Sequence, residues 1–130
     1  LLGEMAAHTA NAGKSYFPAG TPDLDDVVGE SVDLAGSVAR ELLEETGIDI
    51  AGAESDPVWT IVRLGPRIAC MKPVRLKADA DEIVARVSAF LSREKQPELA
   101  GLRIVRRMSD LDALVVPEFI RAYLAYELGG

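Results

Sequence analysis

The segment Arg40-Glu41-Leu42-Leu43-Glu44-Glu45-Thr46-Gly47-Ile48 gathers the residues best able to do chemistry. On a helix, positions 41, 44 and 45 are related as i, i+3 and i+4, so three carboxylates share one face. Like charges so spaced weaken an isolated helix by about a few tenths of a kcal/mol per pair. These acids also approach the helix C-terminus, where the macrodipole disfavours anions. Two local preferences are broken within one turn, as happens where a site compensates for them. The compensator such oxygens suit is a hard divalent cation: Mg²⁺, or Mn²⁺ in its place. Taken alone, such a spacing of acids is more often a solvated acidic face with Arg40 paired to a neighbour.

The element that must position these acids is well marked. Asp33 reads as an N-cap, Leu34, Ala35, Val38, Ala39 and Leu42 recur at helical spacing, and Gly47 is a left-handed stop. The spacing predicts a helix to Thr46 whose Leu34/Val38/Leu42 stripe packs inward, opposite the acids. Leu1 to Ala7 and Ser15 to Pro18 read as strands joined by the turn Asn11 to Lys14. Thr21 to Val32, with Pro22, Gly29 and four acids, reads as a loop with at most one turn of helix. Pro57 to Leu64 and Arg67 to Lys77 form a hairpin about Gly65-Pro66, with Pro73 confining the second strand to an edge or bulge. Asp79 or Asp81 caps a second helix to about Lys95 on Ile83, Val84, Val87, Phe90 and Leu91. Leu102 to Arg107 is a strand, Ser109 opens a turn, and Pro117 starts a last helix to Leu128. Hairpins mixed with helices, without regular βαβ alternation, argue an α+β fold.

With 48% hydrophobic and 27% charged residues over 130 positions, the chain holds material for one packed core, and residues 1–130 read as a single domain. No run approaches the roughly 18 apolar residues needed to span a bilayer, so no membrane partner is expected. The net charge of −7 is uneven: twelve acids against two bases precede Pro57, and twelve bases against nine acids follow from it. The acidic half disfavours nucleic acid as a partner. One Cys and one His are too few for a disulfide or a zinc site. The single Cys fits a reducing compartment, and no signal-peptide pattern opens the chain, so the expected location is cytoplasmic.

Arg40-Glu41-Leu42-x-Glu44-Glu45-x-Gly47-Ile48 resembles the core of the Nudix box, G-x5-E-x7-R-E-U-x-E-E-x-G-U with U aliphatic. Every fixed position from the Arg onward matches. Phe17-Pro18-Ala19-Gly20 is similar to the Pro-Gly-Gly segment before the box, with Ala for the first Gly. The pattern places its first Gly 14 positions before its Arg, whereas Gly20 and Arg40 are 20 apart, an insertion of six. The upstream acid then falls on Val32, and Glu30, following Gly29, is the better match.

The resemblance implies a Nudix-like fold, a mixed β-sheet sandwiched between α-helices, and a Mg²⁺-dependent pyrophosphohydrolase. Its substrate would be a small-molecule nucleoside diphosphate linked to a further group X, cleaved by water attack at phosphorus. Residue by residue it implies metal ligation by Glu41, Glu44, Glu45 and the Gly20 carbonyl. Glu41, Glu44 and Arg40 would act in catalysis, Arg40 by orienting a glutamate. A base could also come from Glu82, Glu98 or Glu118. The alternative implied by the interrupted box is a catalytically inactive Nudix-fold domain that binds nucleotides or regulates; a plain interaction module is the remote third reading.

Outside the box, Trp59 is expected as a strand aromatic, with stacking on a base the alternative, Tyr16 and Phe17 against the central helix or lining a pocket, and Cys70 as a small buried hydrophobe. His8 is expected to be exposed, and Arg63, Arg67, Lys72 and Arg75 to face solvent or phosphate. The last helix, through Phe119, Ile120, Tyr123 and Leu124, would supply the face of a homodimer.

Overall fold

A computed structural model describes residues 1–18, 27–50, 54–55 and 58–129. Alternation along the first strand, β1 (Leu2–Met5), sends Leu2 and Met5 to different cores, because residues three apart point to opposite faces. β1 pairs antiparallel with β2 (Ser15–Tyr16) on one side and with β9 (Leu99–Arg103) on the other. The remaining ladders are antiparallel pairs: β3 (Val27–Val28) with β4 (Ser31–Val32), β5 (Glu54–Ser55) with β8 (Val74–Arg75), and β6 (Thr60–Leu64) with β7 (Arg67–Met71). An isolated bridge between Lys14 and Val115 adds a parallel contact. Three helices complete an α+β fold: α1 (Leu34–Thr46), α2 (Ala80–Arg93) and α3 (Glu118–Leu128).

The expected punctuation is present. Asp33 Oδ1 accepts from Gly36 N at 2.9 Å, Asp79 Oδ1 accepts from Glu82 N at 2.9 Å, and Pro117 stands immediately before α3. The β6–β7 hairpin turns at Gly65 (φ 58°), with Leu64 opposite Arg67 and Thr60 opposite Met71. The 21–32 segment departs from a plain loop: Val27 to Val32 form a small hairpin about Gly29 (φ 63°), which leaves Val27, Val28 and Val32 exposed. β-Branched residues on either side of a Gly-centred turn favour that pairing over a helical turn. The rest of the segment, residues 21–26, lies outside the described residues.

One core joins Leu2, Leu111, Ile120, Tyr123 and Leu124 beneath α3, with Tyr16, Phe17, Val62 and Met71 packed against it. Another joins Ile83, Val87 and Leu91 of α2 to Leu99 and Leu102 of β9. Leu99 and Leu102 are three apart, yet they serve the same core because the register slips between Glu4 and Met5, making Ala100 the extra residue of a β-bulge. Three of the four α3 residues named for a dimer face point inward. Ile120, Tyr123 and Leu124 are buried in the chain's own core and offer no surface to a partner.

A short 3₁₀ helix, Met108–Leu111, precedes α3. Asp110 secures its entry, accepting from the Arg106 N–H at 2.8 Å and the Arg107 N–H at 3.2 Å. The Arg106 hydrogen bond, with further help from Arg107, holds the Asp110 carboxyl below its ordinary value of 3.8. A depressed folded pKa stabilises the fold above the unfolded pKa, and that contribution disappears as pH falls through the folded one. Asp110→Asn is therefore expected to melt below the wild type at neutral pH, and the gap should close as the pH drops below 3.8. Thermal melts of both proteins across that range check this. Among the described residues no helix is long and apolar enough to cross a membrane.

Candidate metal centre

Both ends of α1 are fixed by side chains and backbone close to the acids it carries. At the C-terminus, Gly47 adopts φ 76° and donates its N–H to the Leu43 carbonyl at 2.8 Å. Thr46 Oγ1 donates to the Leu42 carbonyl at 2.5 Å and accepts from Ile48 N at 3.2 Å. These bonds stop the helix one residue after Glu45 and leave its last turn well satisfied.

The face α1 turns inward is broader than its apolar periodicity predicts and omits Leu34. Leu34 is exposed, Val38 and Leu42 are half-buried, and the buried positions of the helix are Ser37, Glu45 and Thr46. The inward face thus holds two neighbouring stripes, Val38/Leu42/Thr46 and Ser37/Glu41/Glu45, with Thr46 2% exposed, the Glu41 side chain 22% exposed and Glu45 9% exposed. The physical reason lies in side-chain size. Ala35 and Ala39 contribute little apolar surface, so the Leu34/Val38/Leu42 stripe is thin, while glutamate stems can bury their methylenes beside it.

Glu44 does not join this face. Its side chain is 61% exposed and lies 3.9 Å from Arg40 Nε, while Arg40 Nη2 lies 3.9 Å from Glu41 Oε1. At these separations the guanidinium acts through charge rather than through short hydrogen bonds. Arg40 therefore links Glu44 at the surface to Glu41 on the inward stripe. The three acids expected together are brought together only as a pair plus an outlier, and among the described residues no group of three or more His, Cys, Asp or Glu could hold a metal ion. Gly20 lies outside the described residues. Glu30 is exposed in the β3–β4 turn.

The donor set still fits one kind of cation. Mg²⁺ is commonly held by one or two carboxylates, its remaining positions filled by water and substrate phosphate oxygens. Glu41 and Glu45 supply two carboxylates one helical turn apart, one of them largely removed from water. A site needing an all-protein cage, such as a seven-oxygen Ca²⁺ site, is not offered by them.

The base candidates outside the box are spread over other elements. Glu98, before β9, and Glu118, in the first turn of α3, are exposed. Glu82 lies 3.8 Å from Arg86 and lines a groove of about 740 Å³ that begins at Thr46 to Asp49 and runs along α2. Of the three, Glu82 alone shares a cavity with the end of α1.

Residues considered singly in the sequence turn out to be grouped. Tyr16 and Phe17 pack on α3 rather than on α1, with ring centroids 6.4 Å from Phe119 and 5.5 Å from Tyr123 respectively. Cys70 is exposed, not buried as expected, because it stands opposite Ile61 on the outer face of the β6–β7 hairpin. Lys72 places its ammonium 5.0 Å over the Trp59 ring, and Arg67 sits 5.4 Å over Phe119. His8 is exposed as expected. Phe17, Leu42, Cys70 and Lys72 also line one common cleft, a grouping that no local signal announces because it joins three distant segments. Comparison with family models, curated proteins and solved structures returns no match to this chain.

Proposed function

We propose that the chain is a Mg²⁺-dependent pyrophosphohydrolase of the Nudix type, acting on a nucleoside diphosphate linked to a further group. The observation that carries this reading is the inward Glu41/Glu45 stripe on a helix that also matches every fixed position of the box from Arg40 to Ile48. Two carboxylates on neighbouring turns of one helix face suit a divalent cation, and their place near the negative end of the helix favours such charge compensation. The delivery of β1 residues to two helix-bounded cores is what a sheet between helices requires, and it supports the Nudix-like fold.

Glu41 and Glu45 would hold the cation and, through it, the diphosphate. The bound ion would supply charge neutralisation at the phosphoryl oxygens and a lowered pKa for water. Arg40 positions Glu41 by charge and shares that charge with Glu44, which lies 3.9 Å from its Nε. Gly47 and Thr46 keep the helix end rigid, so Glu45 is presented from one fixed backbone position. Glu82, within the groove at the end of α1, is the best-placed group outside the box to accept a proton.

The exposure of Glu44 favours a second reading, an inactive Nudix-fold domain that binds without turnover. A panel of nucleoside diphosphate derivatives incubated with Mg²⁺, with products identified by chromatography, separates the two. Hydrolysis at the diphosphate, lost with chelator and restored by Mg²⁺, is the expected result. Calorimetric binding of the same compounds with no product formed would move the assignment to the binding domain.

A further inference from the structure

The Val38/Leu42 stripe of α1, half-buried and ending at the buried Thr46, lines a cleft of about 380 Å³ closed on its other side by the segment from Cys70 to Val74. This volume lies at the lower end of the roughly 300–1,000 Å³ typical of ligand sites. Phe17, Val38, Leu42, Met71 and Val74 make the wall predominantly apolar. Thr46 also lines the cleft, but its hydroxyl is already engaged by the Leu42 carbonyl and the Ile48 N–H. A sugar buried here would leave hydroxyls without partners, whereas a hydrocarbon would lose nothing.

One basic side chain, Lys72, stands among the residues lining the cleft. It is held over Trp59, and among the described residues no carboxylate pairs with it. Between Val58 and Ala78 the chain carries five bases (Arg63, Arg67, Lys72, Arg75, Lys77) and no acid. An anionic head on an apolar chain is the chemistry this combination complements. The geometry of α1 relates the cleft to the acids: positions 38, 42 and 46 form the stripe next to 37, 41 and 45, about 100° around the same helix.

We infer that the group X beyond the diphosphate is a hydrocarbon chain, alkyl or acyl, which lies in this cleft while the diphosphate spans from Lys72 toward Glu41 and Glu45. The catalytic part of this inference rests on the hydrolase reading; occupation of the cleft by an alkyl phosphate does not.

The test uses butyl, hexyl and octyl phosphate as probes, titrated calorimetrically below their micelle concentrations. Each added methylene is expected to lower Kd about fourfold until the cleft is full. Val38→Asp and Val74→Asp, on separate elements, should each flatten that slope. Lys72→Ala should weaken all three probes by a common factor and leave the slope unchanged. A Kd independent of chain length, or a slope preserved in both Asp variants, overturns the inference. In a second arm, ADP esterified with the same alkyl chains is compared with ADP-ribose in the presence of Mg²⁺. Preferential cleavage of the alkyl series supports the assignment of X. Preference for ADP-ribose overturns it while leaving a hydrolase. Failure to cleave anything, with the methylene slope intact, overturns the hydrolase reading and upholds the cleft as a site for hydrocarbon chains.

Discussion

Glu45→Gln is expected to lower kcat/KM for diphosphate hydrolysis by about a thousandfold, with the fold retained. A bound cation is worth several kcal/mol of transition-state charge stabilisation, and each 1.36 kcal/mol is tenfold in rate. The amide keeps the volume of Glu45, which is 9% exposed, but removes the charge proposed to hold the cation. Glu41→Gln should act similarly, since it shares the inward stripe. Glu44→Gln should cost about fivefold or less, the scale of an exposed ion pair, because its side chain is 61% exposed and meets Arg40 only at 3.9 Å. Initial rates with Mg²⁺ saturating, beside circular dichroism melts, check this ranking. Equal and severe losses at 44 and 45 would mean that Glu44 turns inward when substrate binds.

The largest stability effect is expected at Gly47. Its φ of 76° lies where an L side chain is strained, a cost of about 1 kcal/mol. A Cβ there would also stand 2.6 Å from Phe90 Cδ2 and 2.8 Å from Cγ, inside the ring that packs α2 against the end of α1. Ring displacement of this kind typically adds about 1–3 kcal/mol. Gly47→Ala should therefore lose roughly 2–4 kcal/mol, or about 10 °C in Tm. Gly65→Ala is the control: φ is 58°, but nothing lies within 4 Å of the added carbon, so only the conformational cost applies. A shorter side chain at position 90 should relieve much of the excess, and a double-mutant cycle of Gly47→Ala with Phe90→Leu measures it. Equal losses at 47 and 65 would remove the Phe90 contact from the explanation.

What could be read from the sequence was what a few adjacent residues decide. Asp33, Gly47, Asp79, Gly65 and Pro117 act within one turn of backbone, and the structure uses each where expected. Orientation was harder to read. The moment of α1 points its leucines inward, but which positions are buried depends on neighbours far along the chain, and two of the acids share that face. Leu99 and Leu102 share a core only through a bulge that period-two counting cannot foresee. Cys70 was assigned by residue type, yet its exposure follows from which face of the hairpin is covered by α3. The candidate site divides in the same way: the acids are local and visible, the cleft beside them is assembled from distant segments.

The stacking of Lys72 on Trp59 gives the protein a built-in optical reporter. The chain has a single indole, so its emission comes from one place only. An anion that draws the ammonium off the ring changes the field on that chromophore directly. Occupancy at the cleft mouth should thus register as a shift in intrinsic fluorescence, without any label attached.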